Sequence, residues 1–327
     1  MINSIFPWNK TLWEDLREKQ ERTPHAILLH GPQGIGKLAL AEQLAQSLLC
    51  EEQDRARVPC GKCDGCRWYL AGTHPDFRRI EPESMARRPE AEEPDDAAKP
   101  STKTAKPSTE IKVEQIRALD DFLNLRSHRD GRRVTLVHPA EAMNPNAANA
   151  LLKGLEEPPG RALFLLVSHR PARLLATIRS RCVAIPVPLP EPQAAQAWLE
   201  SQGVQDARTW LAFASGAPLR ALSHSQESGG SLMRLRQALG SGSFEALAAV
   251  NDRTQLEELA ESLQKFALDK AMATYCGVTR FGPAKPSRQG LAWLRYARQM
   301  GRNRALASHR LNPRLFAAEM LREMPKE

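Results

Sequence analysis

A glycine-rich loop near the amino terminus has the residue types and spacing of a phosphate-binding site. The loop Gly31–Lys37 (GPQGIGK) follows the apolar run Ala26–His30, and a helical pattern begins directly after it. Between a strand and a helix, the backbone N–H groups of such a loop can surround phosphate oxygens, and a lysine can neutralise them. The spacing therefore predicts a nucleotide-binding loop in which Gly31, Gly36 and Lys37 are the key residues.

The positions that handle a metal ion in such sites are altered. The residue after Lys37 is Leu38, which lacks the hydroxyl that Ser or Thr offers to Mg²⁺. His138 and Pro139 follow the predicted strand Arg133–Val137, where an acidic residue would hold the metal and polarise water. Because phosphoryl transfer depends on Mg²⁺, we expect a degenerate loop that hydrolyses nothing and binds nucleotide weakly or not at all. A mere tight turn between strand and helix, and a working ATPase, are the alternatives.

Four of the six cysteines lie close together, at Cys50, Cys60, Cys63 and Cys66. The Cys-x2-Cys spacing lets two thiolates reach one ion through a tight turn, and Gly61 gives that turn its backbone freedom. Four thiolates suit tetrahedral Zn²⁺, and four protein ligands leave no open position for a substrate. We therefore expect a structural zinc site. Free thiols or a redox pair are the alternative.

The elements around these residues predict an α/β domain. Strand-sized apolar runs occur at 26–30, 76–80, 133–137, 162–167 and 183–187. Helical patterns separate them, and this alternation is typical of a parallel sheet covered on both faces. The segment 81–110 interrupts the pattern with prolines and charges. It has too few apolar residues to offset its ordering entropy, so we expect a disordered insert there.

Beyond Pro190 the pattern predicts helices alone, so the fold class is α/β followed by all-α. The predicted helical segments are 193–202, 205–214, 232–248, 253–274, 288–308 and 313–323. The net charge of +8 is concentrated at the end, where residues 279–327 carry eleven Lys or Arg against three Glu. Acidic and apolar residues remain interleaved there. A solvated helical surface is therefore favoured over a face for nucleic acid.

Composition narrows the class of protein. Hydrophobic residues make up 42% of the chain and charged residues 26%, the balance of a globular protein. No apolar run approaches the ~18 residues that cross a bilayer, and residues 1–8 lack the basic and apolar segments of a signal peptide. We expect a cytoplasmic protein without membrane contact, whose thiols stay reduced unless they bind metal.

Several longer blocks resemble one protein family. They accompany the loop and the cysteines, and they are Gly72–Asp76 (GTHPD), Ile111–Arg117 (IKVEQIR), Asn146–Pro159 (NAANALLKGLEEPP) and Leu174–Cys182 (LLATIRSRC). Together they resemble the delta-prime subunit family of the bacterial DNA polymerase III clamp loader, a branch of the AAA+ proteins. The resemblance is close over residues 5–190. Beyond them it rests on length and helical character.

The resemblance implies an architecture and a role. It implies a RecA-like AAA+ domain at 1–188 that contains a zinc module at 50–66, then a small helical lid at 189–225 and a helical collar for oligomerisation at 226–327. The implied role is a non-hydrolysing stator in a five-subunit ring with gamma/tau and delta subunits. That ring, part of the DNA-directed DNA polymerase III holoenzyme, loads the sliding clamp onto primed DNA during replication.

The resemblance also implies one catalytic residue, Arg181 in the sequence Ser180-Arg181-Cys182. It would be an arginine finger that reaches the ATP of a neighbouring gamma/tau subunit, since a guanidinium can stabilise a transferring phosphoryl group in trans. Two other functions stay open. An ATP-hydrolysing motor subunit of the same assembly would need Lys37 to work despite Leu38 and His138. A zinc-dependent DNA-binding protein with a vestigial loop would bind DNA by itself, with a steep salt dependence.

Overall fold

The computed structural model describes residues 5–86, 107–124, 131–227, 250, 253–280, 284–307 and 311–325. These residues form two compact units, Met1–Leu189 and Pro190–Glu327. Most of the predicted insert at 81–110 and all of the helix predicted at 232–248 lie outside the described residues.

The first unit is built on a parallel sheet of five strands in the order β2-β3-β4-β1-β5. The strands are β1 Ala26–His30, β2 Phe77–Ile80, β3 Arg133–Val137, β4 Ala162–Ser168 and β5 Val183–Pro186. The three central strands, β3, β4 and β1, are buried almost throughout because helices cover both faces. The predicted parallel α/β sheet is confirmed, with strand ends that differ from the prediction by one residue at most.

Six α-helices accompany the sheet in the described part of this unit: α1 Lys10–Glu18, α2 Lys37–Leu48, α3 Asp64–Leu70, α4 Val113–Asn124, α5 Pro145–Glu156 and α6 Ala176–Arg179. Helix α5 starts sharply because the Asn144 side chain accepts a hydrogen bond from the Ala147 N–H. One apolar core joins α5, α6 and β4 through Leu155, Ile178 and Phe164. This core fixes the carboxyl end of α5 beside α6, where the predicted finger Arg181 follows.

The second unit consists of helices in its described residues, which confirms the all-α prediction. They are α7 Pro192–Ser201, α8 Ala207–Phe213, α9 Pro218–Glu227, α10 Arg253–Cys276, α11 Gly290–Leu306 and α12 Pro313–Arg322. Two separate apolar clusters hold them. Leu199, Trp210 and Ala221 belong to the cluster of α7–α9, whereas Trp293 and Met320 belong to that of α10–α12.

A buried carboxylate, Glu261 of α10, ties helices of these two clusters together. It is 5% exposed, and it accepts hydrogen bonds or ion pairs from Lys265, Arg220 of α9 and Arg304 of α11, the last at 2.9 Å. The Lys265 ammonium also donates to the backbone oxygen of Phe213 in α8. Burial by itself would raise the pKa of Glu261, but the three cations lower it to about 2. This charged group therefore stabilises the packing of α8 and α9 against α10 and α11.

Candidate functional site

The topology brings three strand ends together at one edge of the sheet. Strand β1 pairs with β4, and β4 pairs with β3, all in parallel. The loop Gly31–Lys37 follows β1, His138 follows β3 and His169 follows β4. Because the carboxyl ends of parallel strands share an edge, residues that are far apart in sequence form one candidate nucleotide site.

Backbone geometry gives the loop its shape. Gly36 has a φ of 86°, and a Cβ there would lie 2.5 Å from the Phe6 ring, so only glycine fits. At Gly31, a Cβ would lie 2.6 Å from the backbone oxygen of Val187. Both glycines predicted to build the loop are therefore required by the packing around it.

Lys37 is turned inward, onto its own loop. Its side chain is buried, at 2% exposed, and its Nζ donates to the backbone oxygens of Gly31, at 2.8 Å, and Pro32. Burial lowers the pKa of Lys37 to about 8, although the Glu141 carboxylate opposes this shift. The ammonium is thus held by two backbone carbonyls of its own loop.

An amino-terminal segment that sequence reasoning missed supports the same loop. Trp8 Nε1 and Asn9 Nδ2 both donate to the backbone oxygen of Ile35, at 2.9 and 3.0 Å. Phe6 stacks on Trp8 with ring centroids 5.0 Å apart and packs against Gly36. The sequence carried no signal for this contact, because the segment and the loop are 26 residues apart and share no periodic pattern.

Two histidines occupy the edge where a Mg²⁺ site would need oxygen ligands. His138 Nε2 and His169 Nε2 are 3.3 Å apart, a hydrogen-bond distance. Burial, helped by the charge of Lys37, lowers the pKa of both imidazoles to about 4, so they are neutral at physiological pH. Glu141 accepts a hydrogen bond from the His169 backbone N–H at 2.9 Å. The half-buried Leu38 contributes no polar atom.

Arg181, the predicted finger, lies just beyond α6 with its side chain 34% exposed. Its NH2 group makes an ion pair with Glu156 Oε1, the last residue of α5, at 2.6 Å. Its NH1 group donates to the backbone oxygen of Thr177 at 3.0 Å. NH1 also donates to Ser180 Oγ at 3.5 Å, so the guanidinium is held by its own chain at three points, where solvent still reaches it.

The four clustered cysteines converge as the spacing predicts. Their sulfur atoms all lie within 4.8 Å of one another, and the Sγ atoms of Cys50 and Cys63 are 3.8 Å apart. Two ligands of a tetrahedral zinc ion with Zn–S bonds of ~2.3 Å would be about 3.8 Å apart. Backbone N–H groups of Lys62 and Cys63 lower the pKa of Cys60 to about 7, which favours its thiolate, whereas burial raises the pKa of Cys50 and of Cys66. The cluster can therefore hold a metal ion, and its geometry fits zinc.

Comparison with known proteins identifies the family. The family model described as "DNA polymerase III, delta subunit" matches residues 8–191, which is more than half of the chain. A DNA polymerase III subunit delta' from Pseudomonas aeruginosa is 44% identical over 221 residues, which is 66% of this chain and 60% of that protein. The chain belongs to the delta-prime family of DNA polymerase III subunits.

Two further likenesses accompany this delta-prime membership. A DNA polymerase III subunit tau from Escherichia coli is 35% identical over 162 residues, half of this chain and 21% of that protein. A crystal structure of a gamma subunit-related protein from Thermotoga maritima covers 95% of this chain and 97% of its own, at 19% identity and a TM-score of 0.47. The chain spans about 60% of the length of curated delta-prime relatives that it matches.

All the predicted site residues of this delta-prime family member lie within the matched segment 8–191. The structure brings Gly31, Gly36 and Lys37 together in one loop, gathers the four cysteines in one cluster, and places the Arg181 side chain beside Glu156 and Thr177. His169 and Glu141 join the loop only through the fold. Among the described residues, no helix has the length and apolar character to cross a membrane.

Proposed function

We propose that this chain is a non-hydrolysing stator subunit of the DNA polymerase III clamp loader. The observation that carries the proposal is the replacement of metal-binding groups at the sheet edge. Leu38 has no oxygen to offer, and the neutral pair His138 and His169 stands at the ends of β3 and β4. Without a hydroxyl after Lys37, and with neutral imidazoles at the ends of β3 and β4, Mg²⁺ lacks the ligands that would let it bridge and neutralise the phosphates of ATP.

The contacts that Lys37 and Glu141 already make support the same proposal. The Lys37 ammonium already binds two loop carbonyls, and a nucleotide would have to replace those contacts. One oxygen of Glu141 is engaged by the His169 backbone, so only its other oxygen is open to a metal or a water molecule. We therefore propose that the loop binds ATP weakly or not at all and serves as a rigid structural turn.

Arg181 is the group through which the chain would affect ATP hydrolysis. It is solvent-accessible, whereas Lys37 is buried, so it can reach a site on another subunit. We propose that it acts as an arginine finger at the ATP site of a neighbouring gamma/tau subunit. A guanidinium in that position stabilises charge on the transferring phosphoryl group and in other systems accelerates hydrolysis by about 10³- to 10⁵-fold.

The cysteine cluster would hold a structural zinc ion. Cys50, Cys60, Cys63 and Cys66 would supply all four ligands, which leaves no position for substrate. Zinc bound there would join the end of helix α2 to helix α3, since Cys50 follows the first and Cys63 caps the second. The role we propose is stabilisation of the region beside the phosphate loop.

The second unit would assemble the ring. We propose residues 189–225 as the lid and 226–327 as the oligomerisation collar, a division supported by the two apolar clusters described above. Large apolar side chains are exposed on the proposed collar, among them Leu315 at 71%, Leu291 at 55% and Leu294 at 40%. Such residues suit a protein interface. The proposed partners are gamma/tau and delta subunits in a five-subunit ring in the cytoplasm, and through it the sliding clamp and primed DNA.

The test is ATP hydrolysis by the purified chain, and then by the assembled loader. The chain alone, with Mg²⁺ and primed DNA, should show no turnover, and the loader containing Arg181→Ala should lose ATPase activity. DNA-stimulated turnover by the isolated chain would establish the motor-subunit alternative instead. Tight, salt-sensitive DNA binding by the isolated chain would favour the zinc-dependent DNA-binding alternative.

A further inference from the structure

The pairing of Arg181 with Glu156 has a consequence for catalysis. We propose that Glu156 is a positioning residue for the arginine finger: its carboxylate holds the Arg181 guanidinium in the orientation that a neighbouring subunit's ATP requires. The inference rests on the proposed function of Arg181, and it adds a residue that the family likeness alone does not assign a role.

The ion pair stands on a rigid base. Leu155, which precedes Glu156, is 1% exposed, and Ile178, three residues before Arg181, is fully buried. Both belong to the core cluster that joins α5 to α6. Since the backbone is fixed on both sides, the freedom that remains is mostly in the arginine side chain. The 2.6 Å ion pair to Glu156 and the 3.0 Å hydrogen bond to Thr177 restrict that freedom.

The chemistry of the guanidinium leaves room for a phosphate. Arginine presents five N–H groups in a planar fork. One N–H of NH2 faces Glu156, and one N–H of NH1 faces the Thr177 oxygen. NH1 also donates to Ser180 Oγ at 3.5 Å, so the Nε group and the second N–H of NH2 are left for phosphate oxygens. Glu156 can therefore orient the finger and stay bound while the finger acts, as outer residues that fix a catalytic group commonly do.

Helix stability does not explain the acid at this position. Glu156 is the last residue of α5, where the helix dipole disfavours negative charge. The favourable partner is the cation of Arg181, which also lies near that carboxyl end. An exposed ion pair contributes little to the stability of the fold. The role of Glu156 is therefore to orient Arg181 and not to stabilise the helix.

The experiment is a double-mutant cycle in the assembled loader, with ATPase rates measured over a range of ATP concentrations. Glu156→Gln keeps the size of the side chain and removes its charge, and Glu157→Gln is the control at the adjacent exposed acid. We expect Glu156→Gln to lower kcat by about three- to tenfold with KM unchanged, because misorientation weakens transition-state contacts only. Glu156→Asp, which keeps the charge but shortens the reach, should lose less. Glu157→Gln should leave kcat unchanged.

The combination with Arg181→Ala decides the mechanism. If Glu156 acts through the finger, adding Glu156→Gln to Arg181→Ala should cause no further loss. An equal loss with and without Arg181 would overturn the inference, and so would an unchanged or increased kcat in Glu156→Gln alone. If Arg181→Ala itself had no effect on the loader, the proposed finger would be wrong, a result distinct from a failure at Glu156 alone. Size-exclusion chromatography of each loader would verify that the ring still assembles.

Discussion

The buried carboxylate of Glu261 allows the sharpest stability prediction, for the variant Glu261→Gln. This change keeps the shape of the side chain but leaves Lys265, Arg220 and Arg304 without their shared anion. Lowering the pKa of Glu261 from 4.5 to about 2 corresponds to about 3 kcal/mol in favour of the carboxylate, at about 1.4 kcal/mol per pKa unit. Removing one partner of a buried ion pair costs about 3–5 kcal/mol. We therefore expect a loss of about 3–5 kcal/mol in the second unit at pH 7.

Hydrogen exchange measured by mass spectrometry can assign this loss to particular helices. The free energy of opening at the amides of α10 and α11 should fall by about 3–5 kcal/mol. The amides of the sheet should be unaffected, because hydrogen exchange reports the stability of each region separately. Glu319→Gln, at an exposed acid of α12, is the matched control and should change the opening free energy by less than about 0.5 kcal/mol.

Acid provides a second, independent readout of the same carboxylate. Because the folded-state pKa of Glu261 is depressed, the carboxylate contributes to the free energy of unfolding above pH 4.5. This contribution is lost as the pH falls toward 2. In Glu261→Gln the free energy of unfolding should depend less on pH over this range, because residue 261 no longer carries a carboxylate that can titrate. If Glu261→Gln lowered the opening free energy of α10 by less than about 1 kcal/mol at pH 7, the reasoning from buried charge would be refuted.

Three further predictions concern the first unit. Removing zinc with a chelator, or replacing Cys63 by Ser, should abolish bound zinc and increase hydrogen exchange in α3; a zinc-free chain with unchanged exchange would contradict a structural metal site. The pKa of His138 is about 4 in the folded state and 6.5 as its ordinary value, so on acidification the imidazole is protonated first in the unfolded state. This residue should therefore lower the free energy of unfolding by roughly 2 kcal/mol between pH 7 and pH 5. His138→Gln should flatten the pH dependence of urea unfolding over that range, and an unflattened curve would mean that the imidazole titrates normally. Leu38→Thr should leave the isolated chain without ATPase activity, because His138 still stands where an acid is needed; measurable turnover would show that the hydroxyl alone restores the site.

Features set by short stretches of chain could be predicted from the sequence. The phosphate loop, its defect at Leu38 and the convergence of the four cysteines depend on residues at most sixteen positions apart. The central strands were predicted because a buried parallel strand must be a continuous apolar run. Helices α1, α3, α6 and α9 were missed. Each has ten residues or fewer, so an apolar period has little length over which to repeat and reveal the helix.

The sequence by itself determined the α/β then all-α fold class, the missing hydroxyl beside Lys37 and the metal-binding potential of the cysteines, because each follows from residue type and near spacing. Only the tertiary structure decided that His138 meets His169, that Trp8 and Asn9 hold the loop, and that Arg181 meets Glu156. These partners lie 25–31 residues apart in the chain. Strand order and helix packing bring them together, and no local pattern of side chains encodes which distant ends will share an edge.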